Sequence, residues 1–151
     1  MNFIFDALTQ IRANSIKAIE NLSEQQLNKI PEGFGNNIIW NLGHMVASQQ
    51  ILCYKLGGAP ILVSDDFISM FKKDSSPKNW VKPISLQEVK TIFDLTNNAF
   101  QKDYESGLFK NYSEYKTSSG LVLRSIEDAL VYSYGHENLH YGVILNLKKL
   151  V

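Results

Sequence analysis

Apolar positions recur along this chain at three- and four-residue intervals, the period of an α-helix packed on one face, and no sustained two-residue alternation competes with them. Four long helices are predicted. The first, about Asn2 to Leu22, places Ile4, Leu8, Ile11, Ala18, Ile19 and Leu22 on one stripe. The second runs from about Asn37 to Leu56 and stops at Gly57-Gly58, a pair able to take the left-handed conformation that ends helices. The third opens at Ser85-Leu86-Gln87-Glu88, where hydroxyl and carboxylate can satisfy free amides reciprocally, and fades near Gly107. The fourth starts at Ser125-Ile126-Glu127-Asp128, with carboxylates at the positive end of its dipole, and closes with Lys148 and Lys149 at the negative end.

The fold class expected is therefore all-α, a four-helix bundle. The connection from Gly57 to Ile84 is longer than ordinary bundle turns, and Phe67 to Phe71 predicts a short helix inside it. A connection of that length can span the bundle, so helices two and three can run parallel with one crossover. Lys55 is the only charged residue between Glu32 and Asp65, so helix two must be covered on most sides. The uncharged run continues through Ala59 to Val63, and a homodimer with helix two or this segment near its interface is the expected assembly. Fold-back of the long connection would instead give a monomer. Gly107 to Arg124 is irregular and rich in Tyr and Ser.

The composition fits one ordinary domain, residues 1–151, with 44% hydrophobic residues and a single Cys. A chain of 151 residues can bury enough surface to fold without disulfides or a structural metal, so any metal is expected to be functional. Fifteen Lys and Arg balance fifteen Asp and Glu, and nucleic acid is not an expected partner. The apolar stretch Ile38 to Leu56 carries Asn41, His44, Ser48, Gln49, Gln50 and Lys55, too many polar groups for a membrane span. The lone Cys53 cannot make an internal disulfide, and the N-terminus has no basic run before Asp6, so a cytoplasmic location is expected.

The three histidines, His44, His136 and His140, all fall inside strongly apolar helices. Each taken singly reads as a core residue with its ring nitrogens satisfied; the three together read as a metal site. His136 and His140 are four apart, with Cβ atoms about 6 Å from one another, so two imidazoles can converge on one ion. His44, in mid helix two, supplies a third nitrogen if helices two and four are neighbours. Three imidazoles leave further coordination positions to water or substrate, the pattern of a catalytic site. Because imidazole must be neutral to ligate, occupancy is expected to fall below about pH 6.

His136-Glu137-Asn138-Leu139-His140 also satisfies H-E-x-x-H, in which the Glu is the general base of zinc proteases. The known classes take a third ligand from downstream, yet only eleven residues follow His140 and none is His, Asp or Glu. With no sheet expected either, the protease reading is rejected. Glu137 remains the candidate catalytic residue, beside a metal-bound water as base or hydrogen-bond acceptor; the bland alternative is an exposed helix carboxylate. Asn41, Ser133 and Tyr132, one turn before the histidines, are candidates to hydrogen-bond them. Trp40 can wall the pocket, and Tyr112 and Tyr115 can cap it. Cys53, without a basic neighbour, reads as packing.

Two segments carry a resemblance to a known family: Asn37-Ile38-Ile39-Trp40-Asn41-Leu42-Gly43-His44 and Gly135-His136-Glu137-Asn138-Leu139-His140-Tyr141-Gly142. They resemble the second-helix segment and the fourth-helix H-x-x-x-H-x-G element of the DinB/YfiT-like superfamily of small four-helix-bundle metalloproteins. The chain departs in having Val143 where the family often has Gln. The resemblance implies an up-down-down-up bundle, a divalent ion (nickel or zinc) on the three histidines, and frequent homodimers. Its characterised members include bacillithiol S-transferases and a mycothiol-dependent maleylpyruvate isomerase. The function it implies is that of a metal-dependent thiol S-transferase acting on a small electrophile with a low-molecular-weight thiol as cosubstrate. The alternatives are a hydrolase using metal-bound hydroxide and a non-catalytic, stress-related metal-binding protein.

Overall fold

The structure is a computed structural model that describes residues 2–151. Its elements in chain order are α1 (Asn2–Ala18), α2 (Glu24–Asn28), α3 (Ile38–Gln49, continued by a π-helical turn Gln50–Lys55), α4 (Asp65–Phe71), a 3-10 turn (Pro77–Asn79), α5 (Leu86–Glu105), β1 (Tyr115–Lys116), β2 (Val122–Leu123) and α6 (Ile126–Leu147). The four long helices are α1, α3, α5 and α6, and the all-α expectation holds.

The helices run up-down-down-up, as side-chain pairs along their lengths establish. Near the start of α1, Phe5 packs on Phe100 late in α5, while Arg12 further along reaches Asn97, so α1 and α5 are antiparallel. Tyr54 at the end of α3 donates to Asp103 at the end of α5, and Ile39 and Leu42 share a core cluster with Val89 and Phe93 near the α5 start; these two helices are parallel. Asn41 meets His140 and Cys53 meets Ser133, which makes α3 and α6 antiparallel. The parallel pair requires the crossover, and α4 lies within it, capped by the Ser64 hydroxyl on the Phe67 amide.

The first helix ends earlier than its apolar stripe suggests. Ser23 and Gln26 form a reciprocal capping box that starts a separate helix, α2, leaving residues 19–22 as a turn. A small hairpin, also absent from the periodicity, pairs Tyr115 with Leu123 and Lys116 with Val122. Its turn passes through Gly120 at φ +91°, a conformation that favours glycine.

Helix α3 is the buried centre. Apart from the half-buried Ser48, every residue from Ile38 to Gln50 is buried. Phe67 and Phe71 of α4 belong to the same apolar cluster as Ile38, Ile39, Leu42 and Met45. The Gln50 side chain accepts from the Leu62 amide at 2.8 Å and ties the segment after α3 back onto it. Helix α3 is thus covered within the chain, while Ile61, Leu62 and Val63 of the segment that follows it are half-buried. No helix is long and apolar enough to cross a membrane among the described residues.

Two apolar clusters fill the bundle, one around Ile38–Ala47 with Phe71, Phe93, Ile144 and Leu147, the other around Phe5, Leu8, Tyr54, Phe100 and Leu130. Besides these, Arg12, Asn41, His44, Thr96, Ser133 and Glu137 are buried polar groups. Such groups persist in an interior only when paired, and their pairing defines the site.

Candidate metal centre

His44 on α3 and His136 and His140 on α6 meet between the two helices, and one ring nitrogen from each lies within 4.8 Å of the others. His44 is buried and the other two are half-buried. The Nε2 atoms of His136 and His140 are 3.3 Å apart. Nitrogens sharing one ion at about 2.1 Å stand roughly 3.0–3.4 Å from each other in octahedral or tetrahedral geometry, so this pair already has the required spacing.

Each ring is held by its surroundings. The Nδ1 of His140 lies 2.8 Å from Asn41 Oδ1, and Asn41 Nδ2 donates to the Asn37 carbonyl at 2.8 Å, which fixes the amide so that oxygen faces the imidazole. An amide oxygen only accepts, so His140 carries its proton on Nδ1 and Nε2 is bare. His44 repeats the arrangement: its Nδ1 donates to the Phe71 carbonyl at 2.6 Å, and Ser48 Oγ donates to its Nε2 at 3.2 Å. Trp40 stacks on His44 with centroids 4.5 Å apart and planes 11° from parallel, and Tyr132 lies against His136 at 5.9 Å and 21°. In His44 and His140 the Nδ1–H is taken by a fixed oxygen and Nε2 is left bare, the tautomer that a ligating imidazole needs.

The local sequence explains the placement. Asn37 caps α3 by accepting from the Trp40 amide at 2.7 Å, which sets the register that puts Trp40 and Asn41 one turn before His44. Gly43 admits the Phe71 ring, because a β-carbon there would overlap it. That close approach brings the Phe71 carbonyl to His44.

Burial disfavours the imidazolium form at all three positions. It lowers His44, pushes His136 down to about 4 with help from the neighbouring His44, and pushes His140 down to about 3 with help from His136 and His44. The onset of proton competition expected near pH 6 therefore moves lower.

Glu137 does not join the histidines. Its carboxylate is buried and faces Arg12 on α1, which donates from Nη2 to Oε1 at 2.6 Å and from Nε to Oε2 at 3.0 Å. Arg12 also donates through Nη1 to Thr96 Oγ1 and Asn97 Oδ1, so both partners are satisfied. The carboxylate is thus buried rather than exposed, and both its oxygens accept from Arg12 on the side of α6 that faces α1. Burial still pushes the Glu137 carboxyl upward against the pull of Arg12.

Among the hydrogen-bonding candidates, Asn41 contacts a histidine, but on the opposite helix. Ser133 instead faces Cys53 at 3.6 Å, and Tyr132 stacks. Burial raises the Cys53 thiol to about 12, which fits packing and not a nucleophile. Tyr115 reaches the cavity beside the histidines, whereas the Tyr112 hydroxyl donates to the Leu52 carbonyl. Sequence reading missed Ser48, one turn after His44 and visible from that spacing. It also missed the Phe71 carbonyl, which no side-chain motif reveals.

Two cavities reach the centre. One, about 210 Å³, opens on His44 and His136 and is edged by Ser48, Lys73, Thr117 and Ser118. The other, about 590 Å³, lies between α6 and the hairpin and also reaches His136. Compared with known proteins, residues 7–144 match the family model described as the DinB superfamily. No curated protein matches the chain.

Proposed function

The chain belongs to the DinB superfamily, and from that footing we propose that it binds one divalent ion through His44, His136 and His140 and transfers a small thiol onto an electrophile. The observation that carries the metal assignment is the clustering of one ring nitrogen from each histidine within 4.8 Å, with Asn41 and the Phe71 carbonyl fixing the tautomers of His140 and His44. Three neutral imidazoles beside open cavities suit nickel or zinc, with positions left for an exogenous ligand. Such an ion supplies the positive charge that keeps a low-molecular-weight thiol deprotonated near neutral pH.

The protein's own residues do the rest. Asn41, Phe71 and Trp40 orient the ligating rings, and the 210 Å³ cavity admits a small polar molecule to them. The proposed reaction is a substitution. The thiol sulfur bonds to the electrophilic carbon, the bond to the leaving group breaks with its electron pair on that group, and the thiol proton passes to solvent.

A hydrolase would require a base beside the ion, and the engagement of Glu137 with Arg12 disfavours that reading. The test is incubation of metal-loaded protein with bacillithiol, mycothiol or glutathione and a panel of electrophiles. Thiol-dependent electrophile loss is expected. Thiol-independent ester or amide cleavage would replace the transferase by a hydrolase, and neither activity would leave a non-catalytic metal protein.

A further inference from the structure

The larger cavity is walled mainly by apolar side chains, several of which the fold leaves in water, with Ser119 and Asp128 also in its lining. Val131 and Leu139 on α6 are 56% and 64% exposed, and Leu121 at the hairpin is 61% exposed. Val131, Gly135 and Leu139 follow one another at four-residue intervals on one strip of α6, and His136 and Tyr132 sit at the edge of that strip. His136 and Tyr132 also border the smaller cavity, so they separate a cleft with apolar walls from a hydroxyl-lined pocket that carries Lys73.

Gly135 gives the cleft its floor. A glycine inside a helix costs about 1 kcal/mol relative to Ala, and interiors accept that when a neighbour must approach closely. No neighbour does so here: a β-carbon at Gly135 would meet nothing within 4 Å, in contrast to Gly43. Packing does not account for the missing side chain. Its consequence is open space beside the imidazole of His136. A volume of about 590 Å³ lies in the range of small-molecule sites.

We propose that this cleft binds an uncharged, apolar electrophile, delivered to the histidine centre past Tyr132 and His136, while the polar thiol enters from the opposite cavity beside Lys73. The division rests on the transferase reading, but apolar binding in the cleft does not depend on turnover. The two cavities differ in the chemistry they offer: beside Leu121, Val131 and Leu139 the cleft has Ser119 and Asp128, whose carboxylate already accepts from the Arg124 amide, whereas the smaller cavity, beside Ile51 and Leu52, presents the hydroxyls of Ser48, Thr117 and Ser118 and the Lys73 cation. Each substrate then reaches the same imidazole from its own side, and neither has to leave for the other to enter.

The test uses the full chain and the variant Gly135→Leu, whose side chain extends into open space on a helix that favours it. N-phenyl-1-naphthylamine, an uncharged apolar fluorophore, reports binding to the metal-free protein. Wild type should bind one equivalent, and Gly135→Leu should weaken binding at least about tenfold without loss of thermal stability. In the metal-loaded protein the variant should raise KM for 1-chloro-2,4-dinitrobenzene by a similar factor and spare the small electrophile iodoacetamide. Lys73→Glu should raise KM for an anionic thiol, glutathione, and leave fluorophore affinity unchanged.

Fluorophore binding unaffected by Gly135→Leu overturns the assignment. So does binding that declines with protein concentration as the mass doubles, because a second copy then covers the cleft. If the fluorophore binds and is displaced by the substitution while wild type shows no thiol-dependent turnover, the apolar site stands and the transferase reading falls.

Discussion

Asn41 on α3 and His140 on α6 are joined by a 2.8 Å hydrogen bond across the helix pair that holds the histidine centre, and a second bond from Asn41 to the Asn37 carbonyl sets which amide atom faces the ring. One side chain thereby fixes the tautomer of a histidine on a different helix. Asn41→Ala leaves the His140 Nδ1–H without its partner. It should lower metal affinity on the order of 10- to 100-fold and preserve helical content. Competition with a chromophoric chelator measures this; wild-type affinity in the variant would remove Asn41 from the site.

Gly43 acts one step further out. Ala at this position must displace the Phe71 ring, whose residue also provides the carbonyl acceptor for His44. Gly43→Ala should cost about 1–3 kcal/mol of stability, as overpacking does, and should weaken metal binding as well. Chemical denaturation together with the chelator assay checks both; a stable variant with full affinity would break the link from α4 to His44.

Arg12 and Glu137 form a buried ion pair, each 1% exposed. Removing one partner strands the other, so Arg12→Met should destabilise by about 3–5 kcal/mol, while the double variant with Glu137→Leu should recover much of the loss. Urea melts of the four proteins give the coupling. Additive losses would show that the pair is not coupled. Glu137→Gln should keep metal content and thiol-dependent activity. Loss of activity with metal and stability intact would return Glu137 to the role of base.

The depressed histidines make the metal-free fold sensitive to acid. His136 lies near 4 and His140 near 3, while an unfolded imidazole titrates near 6.5. Between those values the unfolded chain holds more protons than the folded one, so this contribution is complete above about pH 6.5 and is lost as pH falls toward 3–4. The urea midpoint of the metal-free protein should fall across that window, and it should fall less in His136→Leu/His140→Leu. Identical slopes in the two proteins would contradict the burial argument.

Much of this arrangement was legible in the sequence. Periodicity gave α1, α3, α5 and α6 and the helix inside the crossover, because an apolar stripe wide enough to bury one face leaves a clear 3.6-residue signal. The three histidines were legible for a related reason: polar rings on apolar stripes point inward. Two short elements escaped. A capping box interrupts the α1 stripe without changing its apolar period, and two-residue strands are too brief to show alternation. The pairing of Glu137 was not legible because its partner, Arg12, is 125 positions away and no local spacing reveals a pair made by packing α1 on α6. The acceptor for His44 is a backbone carbonyl, which every residue has.

Elemental analysis of the purified protein and of His140→Ala tests the central claim most directly. The expected result is about one nickel or zinc per wild-type chain, little in the variant, and an X-ray absorption edge fitted by nitrogen neighbours at about 2.0–2.2 Å. Equal metal content in the two proteins, or none in either after loading, would contradict a centre built from His44, His136 and His140.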